Sequence, residues 1–122
     1  MYTIAIELPF SAAHQLRFAN GEMEPLHGHN WKVKIEVSKE SLDSQGLVID
    51  FEELKKTTQG IIQRLNYTFI NEVPPFDKVN PSAENLAFHI YQELHRELKK
   101  EAVRIEKVTV WETEDAQATY IA

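Results

Sequence analysis

The chain has 122 residues and a formal net charge of −6 at pH 7, values that suit one globular domain over residues 1–122. Hydrophobic residues make up 43% of it, which excludes intrinsic disorder, and no apolar run approaches the ~20 residues that cross a membrane. The absence of cysteine excludes disulfides and thiolate metal sites. Since the balance of charge is acidic, we expect no nucleic-acid partner. Without an apolar span or a signal-peptide pattern, we expect a cytoplasmic protein with no membrane partner.

Two segments in the first third of the chain alternate between apolar and polar residues. The first covers residues 2–10 and the second covers residues 31–37. A period of two is typical of a β-strand with one buried face, because successive side chains point to opposite sides of a sheet. The sequence therefore predicts two strands before its first helix.

Two helices are predicted in the middle of the chain. Asp50 has the position of an N-cap residue, and apolar residues recur at helical spacing over 51–65. The second helix is predicted to open within 80–82 and to carry an apolar stripe over 86–98. A long loop, 66–80, separates the two helices, and loops of this length are often functional.

Two further strands are predicted near the C-terminus, one beginning at Val108 and one covering 118–122. The order strand, strand, helix, helix, strand, strand indicates an α+β fold, in which a four-stranded antiparallel sheet carries two helices on one face. Such a small sheet has unpaired edges, so we expect assembly through those edges.

Three histidines carry the strongest chemical signal. His27 and His29 lie two residues apart in an extended segment, so both point to the same side, in phase with the buried residues of the second strand. His14 is in phase with the buried residues of the first strand, if that strand extends so far. Three imidazoles facing an interior suit a zinc ion with an open fourth position, which is typical of catalytic sites. For each histidine alone, packing or exposure without a metal is the alternative.

Glu112 is the second signal, because it shares the phase of Val108 and Val110. A carboxylate among apolar positions is costly to bury unless it meets hydrogen-bond donors. The pattern indicates either a buried binding carboxylate or a strand that ends just before Glu112. His89 and His95 lie off the apolar stripe of the second helix, so we interpret them as surface groups.

Several short runs, taken together, resemble the 6-pyruvoyl-tetrahydropterin synthase family, which includes the 6-carboxytetrahydropterin synthase of queuosine biosynthesis. The resemblance covers nearly the whole chain and keeps the order of the family's motifs. The runs are Phe10-Ser-Ala-Ala-His14, Leu26-His-Gly-His29, Val48-Ile-Asp-Phe51, Pro81-Ser-Ala-Glu84-Asn and Trp111-Glu-Thr113.

The resemblance implies the tunnelling fold, or T-fold, in which four antiparallel strands and two helices assemble into trimeric barrels that pair as a homohexamer. It also implies a bound zinc ion and a small-molecule pterin substrate. The implied zinc ligands are His14, His27 and His29, and the implied pterin contacts are Glu112, Glu84 and Ser82.

The chain departs from the family where acid–base chemistry is expected. Met23 stands where family members usually carry a catalytic cysteine, and a thioether neither ionises nor attacks. Asn66 and Tyr67 align with the family's Asp-His pair and cannot serve as that relay near neutral pH. The usual acid–base groups are therefore absent at these positions.

One substitute is present. The run from Glu24 to His29 resembles the Glu-x-x-His-Gly-His signature of a subgroup that belongs to folate synthesis. That subgroup cleaves 7,8-dihydroneopterin triphosphate to 6-hydroxymethyl-7,8-dihydropterin, and the resemblance implies that Glu24 is the catalytic base. We expect Met23, Pro25 and Leu26 to desolvate this carboxylate and raise its pKa.

These observations predict a zinc-dependent pterin lyase of the folate branch. An alternative product of the same enzyme class is a 6-pyruvoyl- or 6-carboxy-tetrahydropterin, the latter in the queuosine branch. A second alternative is a pterin-binding homologue with little or no turnover, since the metal ligands remain while the acid–base set has changed. A third is another metal-assisted reaction on a purine- or pterin-like ring.

Overall fold

Five strands and two α-helices form the framework of the computed structural model, which describes residues 1–122. In chain order these are β1 (Tyr2–His14), β2 (His27–Lys39), α1 (Phe51–Ile62), β3 (Thr68–Phe69), α2 (Ala83–Glu97), β4 (Arg104–Thr113) and β5 (Ala116–Ile121). The order in space is β3-β1-β2-β4-β5. All pairings are antiparallel except the short parallel pairing of β1 with β3. No helix is long and apolar enough to cross a membrane.

The predicted α+β class is confirmed, with one difference in the strand count. The additional strand, β3, has two residues and pairs with Ala12 and Ala13. It lies in the loop predicted between the helices, where two residues are too few to show an alternating pattern. β1 and β2 are also longer than the alternating segments, and the added residues carry the histidines.

Side-chain caps fix where both helices begin. The Asp50 carboxylate accepts hydrogen bonds from the backbone N–H groups of Glu52 and Glu53 at 2.7 and 3.4 Å. Ser82 Oγ accepts from the backbone N–H of Asn85 at 3.1 Å. These contacts satisfy amides that have no partner within the first turn of a helix. The predicted Asp50 cap is confirmed, and α2, predicted to open within 80–82, begins at Ala83 with Ser82 as its cap.

The hydrophobic core lies between the helices and one face of the sheet. Trp31 is its largest fully buried side chain, stacked on Phe10 with 5.8 Å between ring centroids. Its indole N–H donates to the carbonyl oxygen of Ala12 at 3.1 Å. The same indole contacts His14 edge to face, with centroids 4.8 Å apart. Trp31 therefore lies at the boundary between the hydrophobic core and the histidines.

The two histidines of α2 differ from each other in their surroundings. His95 is exposed, as expected. His89 is half-buried, and its ring meets Phe76 edge to face at 5.2 Å. The expectation of a surface group is wrong for His89. The loop before α2 places the Phe76 ring on this side of the helix, outside the apolar stripe, and so covers His89.

Candidate metal centre

Four side chains, those of His14, His27, His29 and Glu112, meet at one end of the sheet. Their potential ligand atoms all lie within 4.8 Å of one another. The register of β1 against β2 pairs His14 with His27, and paired residues of antiparallel strands project to the same face. Because β1 does extend to His14, the condition set by the sequence pattern is met.

Glu112 reaches the cluster from β4. This strand continues to Thr113, so the alternative of a strand that ends before Glu112 is wrong. The pairing with β5 shifts register between Trp111 and Thr113, and irregularities of this kind re-aim side chains. The Glu112 side chain is 30% exposed, which makes it the most open member of the cluster besides His27.

His14 is the most buried of the four, with 1% of its surface exposed. Its Nδ1 donates to the carbonyl oxygen of Pro81 at 2.8 Å. A carbonyl only accepts hydrogen bonds, so Nδ1 carries the proton and Nε2 is the atom that faces the cluster. Fixing a ring through its second nitrogen is typical of histidine metal ligands.

His29 completes the contacts inside the cluster. Its Nε2 lies 2.9 Å from Glu112 Oε1 and 2.5 Å from His27 Nδ1. The same Glu112 oxygen lies 3.0 Å from His14 Nε2. Burial lowers the pKa of His29 below its ordinary value, although the Glu112 carboxylate acts in the opposite direction. The neutral imidazole is thereby favoured, and this is the form that binds a metal.

The donor set fits a divalent transition metal. Zinc accepts three imidazole nitrogens in a tetrahedral arrangement, in which the fourth position is either open or taken by a carboxylate oxygen. Sequence reasoning gave Glu112 a role in pterin binding and did not include it among the metal ligands. Its phase within β4 was the available signal, but phase alone does not show that its oxygen reaches His14 and His29.

Glu24 lies beside the cluster rather than within it. Its Oε1 accepts from the backbone N–H of Leu16 at 3.0 Å and lies 2.8 Å from His27 Nε2. Burial raises the pKa of the Glu24 carboxyl, but the hydrogen bonds from His27 and Leu16 together outweigh it, and the net pKa is lowered. The expected rise is therefore wrong. The flanking Met23 and Leu26 are 45% and 60% exposed, so they do not enclose the carboxylate.

The residues aligned with the missing acid–base pair lie outside the cluster. Asn66 Oδ1 accepts from the backbone N–H of Ser11 at 2.9 Å. Tyr67 is 86% exposed and has a φ of 58°, in the left-handed region that side chains other than glycine seldom adopt. Neither residue has a hydrogen bond or ion pair with the three histidines.

The two remaining candidates lie at the start of α2. Ser82 uses its hydroxyl as the helix cap, and it follows Pro81, whose carbonyl accepts from His14. Glu84 is exposed in the first helical turn. The structure thus brings the N-terminus of α2 to the cluster, but no hydrogen bond or ion pair joins Glu84 to the four clustered side chains.

The sequence as a whole matches the family model described as 6-pyruvoyl tetrahydropterin synthase over residues 3–122. This chain belongs to the 6-pyruvoyl tetrahydropterin synthase family. A putative 6-carboxy-5,6,7,8-tetrahydropterin synthase from Archaeoglobus fulgidus is 31% identical over 115 residues, which cover 94% of this chain and 91% of the relative. A dihydroneopterin monophosphate aldolase from Pyrococcus furiosus is 31% identical over 103 residues, covering 84% and 82%. The names of both relatives describe enzymes that act on pterins.

Solved structures of the 6-pyruvoyl tetrahydropterin synthase family have the same fold. The Caenorhabditis elegans enzyme aligns with a TM-score of 0.86 at 24% identity, covering 99% of this chain and 95% of that one. A Plasmodium vivax variant, described as a catalytic-residue mutant with glutamate replaced by alanine, aligns with a TM-score of 0.75 at 23% identity, covering 98% and 96%. The expectation of a T-fold is confirmed.

Proposed function

We propose that this chain is a zinc-dependent pterin lyase of the cytoplasm. In this proposal it converts 7,8-dihydroneopterin triphosphate to 6-hydroxymethyl-7,8-dihydropterin, the folate-branch product. The observation that carries the proposal is the carboxylate of Glu24 beside a cluster of three histidines, at a place where the chain has no thiol. The Pyrococcus furiosus relative, named an aldolase, supports cleavage of a carbon–carbon bond in the side chain.

Zinc would be held by His14, His27 and His29, and when bound it supplies a Lewis acid that lowers the pKa of a side-chain hydroxyl. Glu24 takes the proton of the substrate's 2′-hydroxyl through Oε2, to which no protein group donates. The C1′–C2′ bond then breaks, and its electron pair is delocalised into the dihydropterin ring. A proton returns to C1′, which yields the hydroxymethyl group, and C2′ leaves as the aldehyde of a phosphorylated glycolaldehyde.

A catalytic glutamate has a precedent within this fold. The Plasmodium vivax protein is described as having a glutamate as a catalytic residue. The lowered pKa of Glu24 keeps its carboxylate ionised near neutral pH, so that it is ready to accept a proton. Both observations support Glu24 in the role of general base.

We assign the pterin ring to Glu112, assisted by Glu84 and Ser82. The Oε2 atom of Glu112 has no protein donor, and a third of the side chain is open to solvent. A carboxylate accepts two parallel hydrogen bonds from the aminopyrimidine edge of a pterin, and such charge-assisted pairs are strong. Glu112 also stands close enough to the histidines to be a fourth metal ligand, which is the competing role.

The assembly that we propose is a homohexamer built from two trimeric barrels. The unpaired outer edges of β1 and β5 support it. β1 pairs on its outer side only through Ala12 and Ala13, and β5 has no partner beyond β4. Open edges of this length favour pairing with further strands.

One assay tests the proposed function. The zinc-loaded protein is incubated separately with the triphosphate and the monophosphate of 7,8-dihydroneopterin, and products are identified by mass spectrometry. Release of 6-hydroxymethyl-7,8-dihydropterin supports the proposal. A 6-carboxy product, as the name of the Archaeoglobus fulgidus relative indicates for that protein, or a 6-pyruvoyl product replaces it with the alternative synthase activity. Binding of substrate without turnover replaces it with a pterin-binding role.

A further inference from the structure

Two side-chain amides hold the segment Gln15–Arg17 that follows β1, on the side opposite to its short antiparallel bridge between Arg17 and Met23. Asn71 Oδ1 accepts from the backbone N–H of Gln15 at 3.0 Å, and its Nδ2 donates to the Gln15 carbonyl at 2.8 Å. Asn80 makes the same pair of bonds with Arg17, at 2.7 and 3.0 Å. Each amide thus reproduces the two-way pairing of an antiparallel strand.

The residue between these two fixed positions holds Glu24. The backbone N–H of Leu16 donates to Glu24 Oε1 at 3.0 Å, and the Leu16 carbonyl accepts from the Glu24 N–H at 3.0 Å. The side chain of Gln15 donates to the Glu24 carbonyl at 3.0 Å. Three hydrogen bonds therefore attach the backbone and the carboxylate of Glu24 to this segment. The two asparagines bond both ends of the segment, and the Arg17 guanidinium adds bonds to the carbonyl oxygens of Val79 and Phe76.

The carboxylate in turn determines the orientation of His27. Glu24 Oε1 lies 2.8 Å from His27 Nε2. An ionised carboxylate only accepts hydrogen bonds, so Nε2 carries the proton and the lone pair of the ring is on Nδ1. Nδ1 is the nitrogen that faces His29 and the cluster. His14 has the opposite assignment, because Pro81 takes its Nδ1 proton.

We propose that Asn71 and Asn80 are positioning residues of the metal centre. By fixing the segment Gln15–Arg17 they aim Glu24 at His27 Nε2, and Glu24 thereby selects Nδ1 of His27 as the metal ligand. Carboxylates that orient a ligating histidine typically change metal affinity 10–100-fold when they are removed. The inference rests on the metal site of the proposed function and adds a dependence on two side chains that have no hydrogen bond to the metal ligands.

The first test is the protonation of the histidine rings. Side-chain ¹⁵N spectra of the zinc-loaded protein are expected to show His27 with its proton on Nε2 and its Nδ1 shifted by the metal. In Glu24→Ala this assignment is expected to be lost or mixed. A wild-type spectrum with zinc on Nε2 of His27 overturns the inference.

The second test is zinc affinity, measured by competition with a chelator in the absence of substrate. Glu24→Ala is expected to weaken binding about 10–100-fold. Glu24→Gln, whose amide oxygen still accepts from His27 and Leu16, is expected to weaken it less. Asn80→Ala is expected to weaken binding severalfold in the wild-type background and to have no further effect when combined with Glu24→Ala. Equal effects of Asn80→Ala in both backgrounds overturn the inference.

Asn66→Ala is the matched control. It removes an amide that accepts from the backbone N–H of Ser11 in β1, the strand before the segment Gln15–Arg17, and this amide has no bond to Glu24. We expect its zinc affinity to equal that of the wild type, and a loss as large as that of Asn80→Ala overturns the inference. Circular dichroism shows which variants fold, and Asn80→Ser replaces Asn80→Ala if the latter does not, with the same expected dependence on Glu24.

The product assay separates this inference from the proposed function. If the protein turns over substrate and Asn80→Ala binds zinc as tightly as the wild type, the positioning role is overturned and the lyase proposal stands. If Asn80→Ala weakens zinc binding only when Glu24 is present, and neither phosphate is turned over, the positioning role is supported and the lyase proposal is overturned.

Discussion

His14 donates from Nδ1 to the carbonyl oxygen of Pro81 at 2.8 Å, a contact between residues 67 positions apart in the chain. It joins the end of β1 to the residue that precedes the cap of α2. Since the His14 ring is almost fully buried, the bond also fixes the ring against rotation. The start of α2 and the orientation of one metal-ligand candidate are thus linked by the same hydrogen bond.

The first prediction concerns metal content. We expect about one zinc per chain, with ~2.0–2.1 Å between the metal and each imidazole nitrogen. His29→Ala is expected to abolish binding, because it removes the ring that contacts both His27 and Glu112. Elemental analysis of the purified protein measures the zinc content per chain. His95→Ala, at an exposed position outside the cluster, is the control, and equal zinc in the two variants contradicts the site.

The second prediction separates the two roles of Glu112. If Glu112 is the pterin anchor, Glu112→Gln is expected to cost on the order of 2–4 kcal/mol in pterin affinity, because a charge-assisted bidentate contact is lost. The zinc content is then expected to stay unchanged. Calorimetric titration with a pterin and elemental analysis measure the two quantities. Loss of zinc with little change in pterin affinity would make Glu112 a metal ligand instead.

The third prediction concerns the catalytic carboxylate. Glu24→Gln is expected to slow turnover roughly 10²–10⁴-fold, the usual contribution of a general base, while substrate affinity changes little. Steady-state kinetics on 7,8-dihydroneopterin phosphates measure it, and Glu24→Asp is expected to keep part of the activity. Glu22→Gln, an exposed carboxylate two residues away, is the control. Full activity in Glu24→Gln assigns proton removal to another group.

The fourth prediction is a pH dependence of stability caused by His89. Burial lowers the pKa of His89 from its ordinary 6.5, against the opposing charge of Glu93 and with the help of Arg64 and Arg96. The unfolded chain therefore takes up the proton more readily than the folded chain, so stability is present above pH 6.5 and is lost as the pH falls through the lowered pKa.

Thermal unfolding at pH 7.5 and 5.5 measures this effect. The melting temperature of the wild type is expected to fall more between these values than that of His89→Gln, which has no titrating ring beside Phe76. His95→Gln, on the exposed side of the same helix, keeps the wild-type dependence. An equal fall in the wild type and in His89→Gln refutes the prediction.

The fifth prediction concerns assembly. Because the outer edges of β1 and β5 are unpaired for most of their length, we expect a hexamer in solution, or at least a trimer. Light scattering coupled to size-exclusion chromatography measures the mass. A monomer at micromolar concentration contradicts the proposed barrel and hexamer.

Periodicity predicted the fold class and the convergence of His14, His27 and His29, because buried strand faces impose a regular phase on the sequence. The residue type of Asp50 predicted the cap of the first helix. Periodicity did not predict the hydrogen bonds of Asn71 or Asn80, since an amide that imitates a strand leaves no repeating pattern. Periodicity likewise missed the contact of Glu24 with His27, which depends on how a loop folds back. These contacts are tertiary, so no local pattern in the sequence predicts them.

The cluster at the end of the sheet collects residues from distant parts of a chain that has no cysteine. His14 and Glu112 are 98 positions apart and meet at 3.0 Å. If Glu112 takes its competing role as a fourth ligand, a metal bound there would close a loop that spans most of the polypeptide, and closing long loops restricts the unfolded chain most. Zinc would thus act as a cross-link, as a disulfide does in other proteins, but one that reducing agents leave intact and chelators release.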